Sequence, residues 1–146
     1  MVLACPALKS NVNFSRIIRV ASCCGIDKMV TSGSGKVDKT ITRDGVESVE
    51  ISVHRSLLPV LKKLRDQGNE LVGLEQTTCS QSLYEFKFQR STVLVIGHER
   101  NGIDDAVLSI LDRVVEIPIY GMPFSYNVAT ATAMTLYEYC RQFPNG

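Results

Sequence analysis

The order of apolar and polar segments constrains the fold of this chain more than any other feature. Short apolar segments typical of strands alternate with segments of helical spacing from residue 2 to residue 143. Residues 49–53 alternate as a strand, 56–68 carry leucines on one side of a helix, and 71–74 return as a strand. A strand–helix–strand unit of this kind has parallel strands and a right-handed connection. The chain therefore predicts an α/β fold around a parallel sheet.

The local signals predict where most elements begin and end. Asn13 suits the N-cap of the first helix and Gly25 its C-terminal stop, while Asp104 and Ser125 suit the caps of the last two helices. Residues 37–47 are polar and predict an irregular segment. The strands are predicted at residues 2–5, 28–31, 49–53, 71–74, 92–96 and 114–117, and the helices between residues 13 and 25, at 56–68, at 104–111 and at 127–143.

Two junctions near the carboxyl end are the main candidates for a ligand site. Residues 93–102 and 117–129 each begin as an apolar strand, stop in a loop rich in glycine, proline or small polar residues, and pass directly into a helix. Backbone donors and acceptors are unpaired where a strand has ended and a helix has begun, so they can turn towards a bound molecule. On spacing alone, two ordinary turns of an α/β domain are an equal alternative.

Composition limits the class of protein. The 146 residues are 45% hydrophobic, which favours a single domain over residues 1–146. The 16 Lys+Arg and 15 Asp+Glu give a net charge of +1, so a nucleic-acid partner has to meet a local basic patch or a surface shared with a second subunit. Five cysteines without C-x-x-C or nearby histidines argue against disulfides or a metal site. With no signal peptide or membrane-spanning segment, we expect a cytoplasmic protein without membrane contact.

The loop at residues 32–36 contains glycine, serine and lysine, as phosphate-binding loops do. It lacks the G-x-x-x-x-G-K-[ST] spacing, so it does not predict a nucleoside triphosphate site. An unrelated α/β nucleotide-binding domain is disfavoured for the same reason, because the chain has no complete phosphate-binding fingerprint.

Three segments in series resemble the SpoU (TrmH-like) branch of the SPOUT class of RNA methyltransferases. Residues 13–19 are similar to its first motif, an Asn followed six residues later by an Arg. Residues 97–102 are similar to its second motif, G-x-E-x-x-G, and residues 117–129 to its third. The likeness covers about residues 2–143. Residues 74–77 and 83–85 are also similar to the subgroup that modifies the ribose of a guanosine in transfer RNA.

The resemblance implies a parallel, Rossmann-like sheet with a C-terminal trefoil knot, the SPOUT α/β knot. General rules of chain topology argue against a knot, because threaded chains are rare exceptions. The resemblance also implies a homodimer, S-adenosylmethionine as methyl donor, and transfer of the methyl group to a ribose 2′-hydroxyl of RNA. The favoured RNA is tRNA, with rRNA as the other possibility.

The resemblance also implies which residues contact S-adenosylmethionine, largely through the backbone. Tyr126 stands where the family usually has Leu, and Ala129 where it often has Ser. If a Ser hydroxyl is lost at Ala129, one hydrogen bond is lost, on the order of 1 kcal/mol. The implied cofactor-binding residues are Thr77, Gly97, Ile117, Ile119, Tyr126, Asn127 and Ala129.

Arg19 matches the arginine to which the family assigns the central catalytic role. A guanidinium is protonated at rest, so we interpret Arg19 chiefly as a cation that stabilises the developing alkoxide and the adjacent phosphate. Arg16 and Arg19 are the candidate RNA-binding residues. His98 occupies a variable position of the second motif and is not expected to act as a base. The other candidate catalytic residues are Asn13, Glu99, Ser125 and Asn127.

Each of these residues has a simpler interpretation. Arg19 and Arg16 fit a solvated helix face, Asn13, Ser125 and Asn127 fit helix caps, and Glu99 fits an exposed turn. A catalytically degenerate SPOUT-fold protein that only binds RNA is the alternative function. The changes at Tyr126 and Ala129 favour it, as does the lack of an obvious appended RNA-binding module.

Overall fold

A computed structural model describes residues 1–33 and 35–144 of the chain. Ser34, which belongs to the predicted loop at 32–36, therefore lies outside the described residues. Within these ranges the chain forms seven strands, five α-helices and a 3-10 turn at Arg43–Val46. The strands are β1 (Val2–Cys5), β2 (Lys28–Thr31), β3 (Glu50–Val53), β4 (Glu70–Leu74), β5 (Gln81–Ser82), β6 (Thr92–Ile96) and β7 (Arg113–Glu116). The helices are α1 (Asn11–Cys23), α2 (Lys39–Thr42), α3 (Leu57–Asp66), α4 (Asp105–Leu108) and α5 (Val128–Gln142).

The strands form one sheet in the order β3-β2-β1-β6-β4-β7-β5, and every neighbouring pair is parallel. The predicted α/β fold with a parallel sheet is therefore confirmed. The chain runs outwards from β1 to β3 and then crosses to the other side of β1, so β1 and β6 lie side by side. Ligands of open parallel sheets bind at the carboxyl ends of strands near such a reversal. The trefoil knot stays a prediction.

Helices cover both faces of the sheet. On one face α1 and α5 pack over Leu3, Cys5 and Leu94, and on the other face α3 and α4 pack over Ala4 and Val95. Side chains of a strand point alternately to the two faces, so both sets have to be apolar. Burial of both faces explains why the strand segments are almost continuously apolar. Because α1 and α5 cover the same face, they are neighbours, and they meet at the carboxyl ends of the strands.

Two predicted helix caps are wrong. Helix α1 begins at Asn11, and its cap is Ser10, whose Oγ accepts the backbone N–H of Asn13 at 3.2 Å. Helix α5 is capped by Asn127, whose side chain accepts the N–H of Ala129 at 2.9 Å, and not by Ser125. Both predictions used cap preference, which several neighbouring polar residues satisfied equally well.

Of the other predicted boundaries, two helix signals are confirmed, whereas the irregular segment at 37–47 is wrong. Gly25 follows the C-cap of α1 with a φ of 67°, a left-handed conformation that favours glycine, so its predicted role is confirmed. Asp104 caps α4, as predicted, but this helix ends at Leu108. The segment predicted as irregular contains α2 and the 3-10 turn, because the side chain of Asp38 accepts the N–H of Thr40 and starts a helical turn.

The described chain gives no structural sign of a membrane-spanning helix or a metal site. Across residues 1–33 and 35–144, no helix has both the length and the apolar character needed to cross a membrane. Over the same ranges, no group of three His, Cys, Asp or Glu side chains is placed to hold a metal ion.

Candidate active site

A cleft of about 420 Å³ opens at the carboxyl ends of β4, β6 and β7, beside the start of α5. This volume lies within the range of roughly 300–1,000 Å³ typical of small-molecule sites. Its walls come from the loops that follow these strands and from the first turns of α1 and α5. Of the predicted site residues, those that line the cleft are Asn13, Gly97, Glu99, Ile117, Ile119, Ser125, Tyr126 and Asn127.

Glu99 holds the loop after β6 to the start of α1. Its carboxylate accepts the backbone N–H groups of Lys9 and Ser10, each at 3.0 Å, and the side-chain amide of Asn13 at 3.3 Å. Burial acts to raise the pKa of Glu99, but these hydrogen bonds outweigh burial and hold the pKa below its ordinary value. Glu99 is therefore ionised at neutral pH, with its oxygens already engaged.

Asn13 and Asn127 extend this network to α5. The side-chain amide of Asn127 donates to Oδ1 of Asn13 at 3.2 Å, while Oδ1 of Asn127 caps α5. Asn13 is only 8% exposed, since its side chain points inwards to both partners. A continuous chain of hydrogen bonds thus runs from Glu99 through Asn13 to Asn127, and residues from all three sequence motifs meet at one cleft.

The two glycines of the G-x-E-x-x-G segment are required by a tight turn. His98 and Gly102 exchange backbone hydrogen bonds of 2.9 and 3.0 Å. A Cβ atom at Gly97 would lie 2.8 Å from the carbonyl carbon of Gly102, and Gly102 has a φ of 66°. A side chain at either position would strain the turn. The turn presents Glu99 towards the cleft.

Glu75 was not singled out from the sequence, although it lines the cleft. Its carboxylate accepts the backbone N–H groups of Gln76 and Ile103, each at 3.0 Å. It therefore ties the loop after β4 to the loop after β6. The available signal was its position, because Glu75 directly follows Leu74, the last residue of an apolar strand.

His98 is poorly placed to accept a proton. Its Nδ1 accepts the backbone N–H of Arg100 at 3.2 Å, and its Nε2 lies 3.5 Å from a carboxylate oxygen of Glu99. In the neutral ring, one nitrogen carries the proton and the other is the acceptor. The acceptor nitrogen of His98 is already used within its own turn.

The sequence profile of the SpoU rRNA Methylase family matches residues 1–137. The chain belongs to this family. The TrmH/SpoU tRNA modifying enzyme of A. aeolicus has a similar structure, with a TM-score of 0.92 and 28% identity over 98% of this chain and 75% of that one. The SpoU methyltransferase AviRb of Streptomyces viridochromogenes, solved in complex with AdoMet, has a TM-score of 0.85 and 25% identity over 100% of this chain and 61% of that one.

Among curated relatives of this SpoU family member, the tRNA (guanosine(18)-2′-O)-methyltransferase of Escherichia coli K12 is 29% identical over 136 residues. The match covers 91% of this chain and 59% of the relative. The chain thus spans about three fifths of the length of this E. coli enzyme.

The other predicted site residues lie outside the cleft. Thr77 lies in the loop after β4 and is not part of the lining. Arg16, Arg19 and Ala129 line a second, shallow groove between α1, α2 and α5. Arg19 is exposed and donates to the carbonyl of Ile41 at 3.4 Å. The cleft of one protomer therefore contains Asn13 of the first motif but not Arg19.

Proposed function

We propose that this chain transfers a methyl group from S-adenosylmethionine to a ribose 2′-hydroxyl of RNA, and that the RNA is a tRNA with a guanosine at the modified position. The observation that carries this proposal is the network from Glu99 through Asn13 to Asn127, which joins all three motifs at one cleft. The E. coli relative modifies a tRNA guanosine, and AviRb was solved with AdoMet, which supports the same reaction here.

The cleft has the properties that S-adenosylmethionine requires. Leu74, Ile96, Ile117 and Ile119 give an apolar wall suited to an adenine ring. Gly97 lines the cleft with backbone atoms alone, and its Cβ position is filled by the backbone of Gly102. Three loop backbones offer polar groups that no neighbouring strand uses. Gly97, Ile117, Ile119, Tyr126 and Asn127 would hold the donor, with Thr77 and Ala129 adjacent.

When bound, the donor supplies a methyl group activated by its sulfonium charge. The ribose oxygen forms a bond to the methyl carbon while the carbon–sulfur bond breaks, and the hydroxyl proton leaves. The chain contributes by holding the two reactants in line and by stabilising negative charge on the ribose oxygen. We assign the charge stabilisation to Arg19. Glu99 and His98 are engaged in other hydrogen bonds, so a phosphate oxygen of the RNA or a group on a second subunit accepts the proton.

The position of Arg19 supports a homodimer. If Arg19 acts in the reaction, it has to reach the cleft of a partner, because it lies outside its own cleft. The faces of α1 and α5 beside it carry exposed apolar side chains, namely Val12 at 44%, Met134 at 38% and Tyr137 at 74%. Exposed apolar patches mark interaction surfaces, and a two-fold dimer would place each Arg19 near the other subunit. Free thiols on this chain favour the cytoplasm as the location.

The alternative is a catalytically degenerate RNA-binding protein. The observation that favours it is again Arg19, since a protomer that does not dimerise would lack the catalytic cation. Calorimetry with S-adenosylmethionine separates the two functions. An enzyme binds the donor, and a chain that has lost the reaction and its donor site releases no heat.

The proposed function is tested by incubating the protein with total RNA and S-adenosylmethionine that carries a tritiated methyl group. Nuclease digestion then locates the labelled nucleotide. We expect the label on a ribose in the tRNA fraction, with guanosine as the modified nucleoside. Label on a base, or no transfer by a protein that binds the donor, would overturn the proposed reaction.

A further inference from the structure

The segments that follow β1, β2 and β3 form a local basic surface at the carboxyl ends of these strands. The segments that follow β1, β2 and β3, residues 6–10, 32–37 and 54–56, contain no Asp or Glu. They carry Lys9, Lys36 and Arg55, which are all exposed. The next acidic residue after Lys36 is Asp38, whose side chain caps α2. A net charge of +1 is therefore compatible with a local basic surface.

The strand ends from which these segments leave are neighbours in space. Cys5 of β1 pairs with Thr31 of β2, and Thr31 pairs with Val53 of β3, so the strands end side by side. The N–H of Ala7 donates to Ser32 Oγ at 3.1 Å, and the N–H of His54 donates to the carbonyl of Thr31 at 2.8 Å. Strands lie about 4.8 Å apart, so the ends of β1, β2 and β3 form an edge about 10 Å long, and Lys9, Lys36 and Arg55 lie in the segments that leave it.

This edge continues directly from the cleft. The backbone N–H of Lys9 donates to Glu99, and the backbone N–H of Lys36 donates to Asn11 Oδ1 at 3.1 Å, at the first residue of α1. Strand β1 is also the direct neighbour of β6, whose loop forms the cleft wall. A polymer bound with one unit at the cleft would therefore meet Lys9 first and Arg55 last.

Among the described residues, the three cations have no ion-pair partner. Within the described residues, no carboxylate lies within 4.0 Å of a charged nitrogen of Lys9, Lys36 or Arg55. The ion pairs that the described chain does form involve Glu70, Glu99 and Glu138. The positive edge is thus free to bind an external anion.

We propose that Lys9, Lys36 and Arg55 form a phosphate-binding track, which holds the RNA backbone beside the nucleotide in the cleft. This inference rests on the proposed function, since it identifies where the substrate RNA runs. The track is separate from Arg16 and Arg19, which lie over the groove beside α5. It supplies the local basic patch that a nearly neutral chain needs in order to bind nucleic acid.

Counterion release gives the track a measurable signature. Each phosphate contact lowers the logarithm of the binding constant by about 0.7–0.9 per tenfold rise in salt concentration. Removing three contacts should therefore reduce the magnitude of this salt slope by about 2. A solvated edge without RNA contact would leave the slope unchanged.

The test compares two triple variants of the full chain with the same change in net charge. The track variant is Lys9→Gln, Lys36→Gln and Arg55→Gln. The control variant is Lys28→Gln, Lys62→Gln and Lys63→Gln, which removes exposed cations from the start of β2 and from α3. Filter binding of deproteinised total tRNA over a range of salt concentrations gives the slope for each protein. Calorimetry with S-adenosylmethionine checks that the cleft of each variant is intact.

We expect the magnitude of the salt slope to be smaller by about 2 in the track variant, because fewer counterions are released on binding. We also expect this variant to raise the KM for RNA at least tenfold and to keep kcat within about threefold, since the track binds RNA away from the reacting atoms. The control should match the unmodified protein. Equal losses in both variants, or no loss in the track variant, would overturn the track. If the unmodified protein binds tRNA with this pattern but transfers no methyl group, the proposed reaction fails while the track stands.

Discussion

The two faces of α1 differ in almost every physical respect. Asn13 is buried at the cleft and is held by hydrogen bonds to Glu99 and Asn127. Arg19, six residues later, is exposed in the groove beside α5 and makes one side-chain hydrogen bond, to Ile41. Positions six apart on a helix point about 120° away from each other. One motif therefore supplies an anchored residue to its own cleft and a free cation to another surface.

The two faces of α1 are therefore suited to different tasks. The cleft face is built by fixed hydrogen bonds between backbone and side-chain groups, as binding and positioning require. The groove face carries Arg19, to which we assign the catalytic charge, and this side chain is exposed to a second molecule. Substitutions on the two faces should consequently affect different measurements.

Arg19→Ala should have the largest effect on activity. Loss of the cation that stabilises the transition state is expected to lower kcat by about 10²-fold or more. The affinity for S-adenosylmethionine should change by less than about twofold, because Arg19 lies outside the cleft that holds the donor. Single-turnover methyl transfer and calorimetry measure the two quantities. Arg16→Ala is the matched control on the same face, and a kcat within a few-fold of the parent for Arg19→Ala would refute the catalytic role.

Glu99→Gln should have the largest effect on the cleft face. The carboxylate accepts three hydrogen bonds, and hydrogen bonds to a charged group contribute about 1.5–3 kcal/mol each. Because the amide keeps part of this network, we expect the free energy of unfolding to fall by about 2 kcal/mol. Urea unfolding at neutral pH measures this loss, and affinity for S-adenosylmethionine should fall with it. Arg19→Ala provides the contrast, since it should leave the unfolding transition unchanged.

The contribution of Glu99 should also depend on pH in one direction. Its pKa in the folded state is lower than the ordinary value of 4.5, so the folded state favours the ionised form. The resulting stabilisation is fully present above about pH 4.5 and is lost as the pH falls through the folded-state pKa. The difference in unfolding free energy between parent and Glu99→Gln should be constant from about pH 6 to 8 and shrink in acid. A difference that grows in acid would mean that this carboxylate is not stabilised as an anion.

Asn127→Ala should have a smaller effect on the same network. It removes the cap of α5 and the hydrogen bond to Asn13, and loss of such a cap costs about 1 kcal/mol of unfolding free energy. Asn127→Asp keeps an oxygen for the cap but loses the amide donor, so it should retain most of the stability. If both variants unfold like the parent, the network does not hold α5 to α1.

Ala129→Ser should have the smallest effect. Ala129 is 5% exposed and faces the groove, so an added hydroxyl should change the affinity for S-adenosylmethionine by less than about twofold. A gain of about fivefold, equivalent to one hydrogen bond of about 1 kcal/mol, would show that Ala129 contacts the donor. Calorimetry on the two proteins decides between these results.

The sequence predicts the sheet well because both faces of each central strand are buried, so the strands stand out as short apolar segments. β1, β2 and β6 begin and end at the predicted residues. The junctions after β6 and β7 also predict the cleft, because they combine an abrupt strand end with small residues. These features are predictable because they depend on residues that are close together in the sequence.

Features that depend on distant partners were not predictable in the same way. Asn13 is a residue type that often caps helices, but its side chain turns inwards because Glu99, 86 residues later, accepts a hydrogen bond from its amide. Glu75 is important only because the sheet order brings Ile103 within hydrogen-bond distance. Likewise, Lys9, Lys36 and Arg55 are dispersed in the sequence, and only the register of β1, β2 and β3 places the strand ends before them side by side.

The division between the two faces of α1 is tested most directly by mixing subunits. One variant, Arg19→Ala, keeps its cleft, and the other, Gly97→Val, keeps Arg19 but obstructs the turn beside the cleft. Sedimentation and circular dichroism confirm that each variant dimerises and folds, and Ala131→Phe, at another wall of the cleft, replaces Gly97→Val if it does not. If Arg19 completes the partner's cleft, random exchange of the two inactive proteins should restore about a quarter of the parent activity, because half of the dimers are mixed and each has one complete site. Folded, mixed dimers that remain inactive would contradict a site shared between subunits.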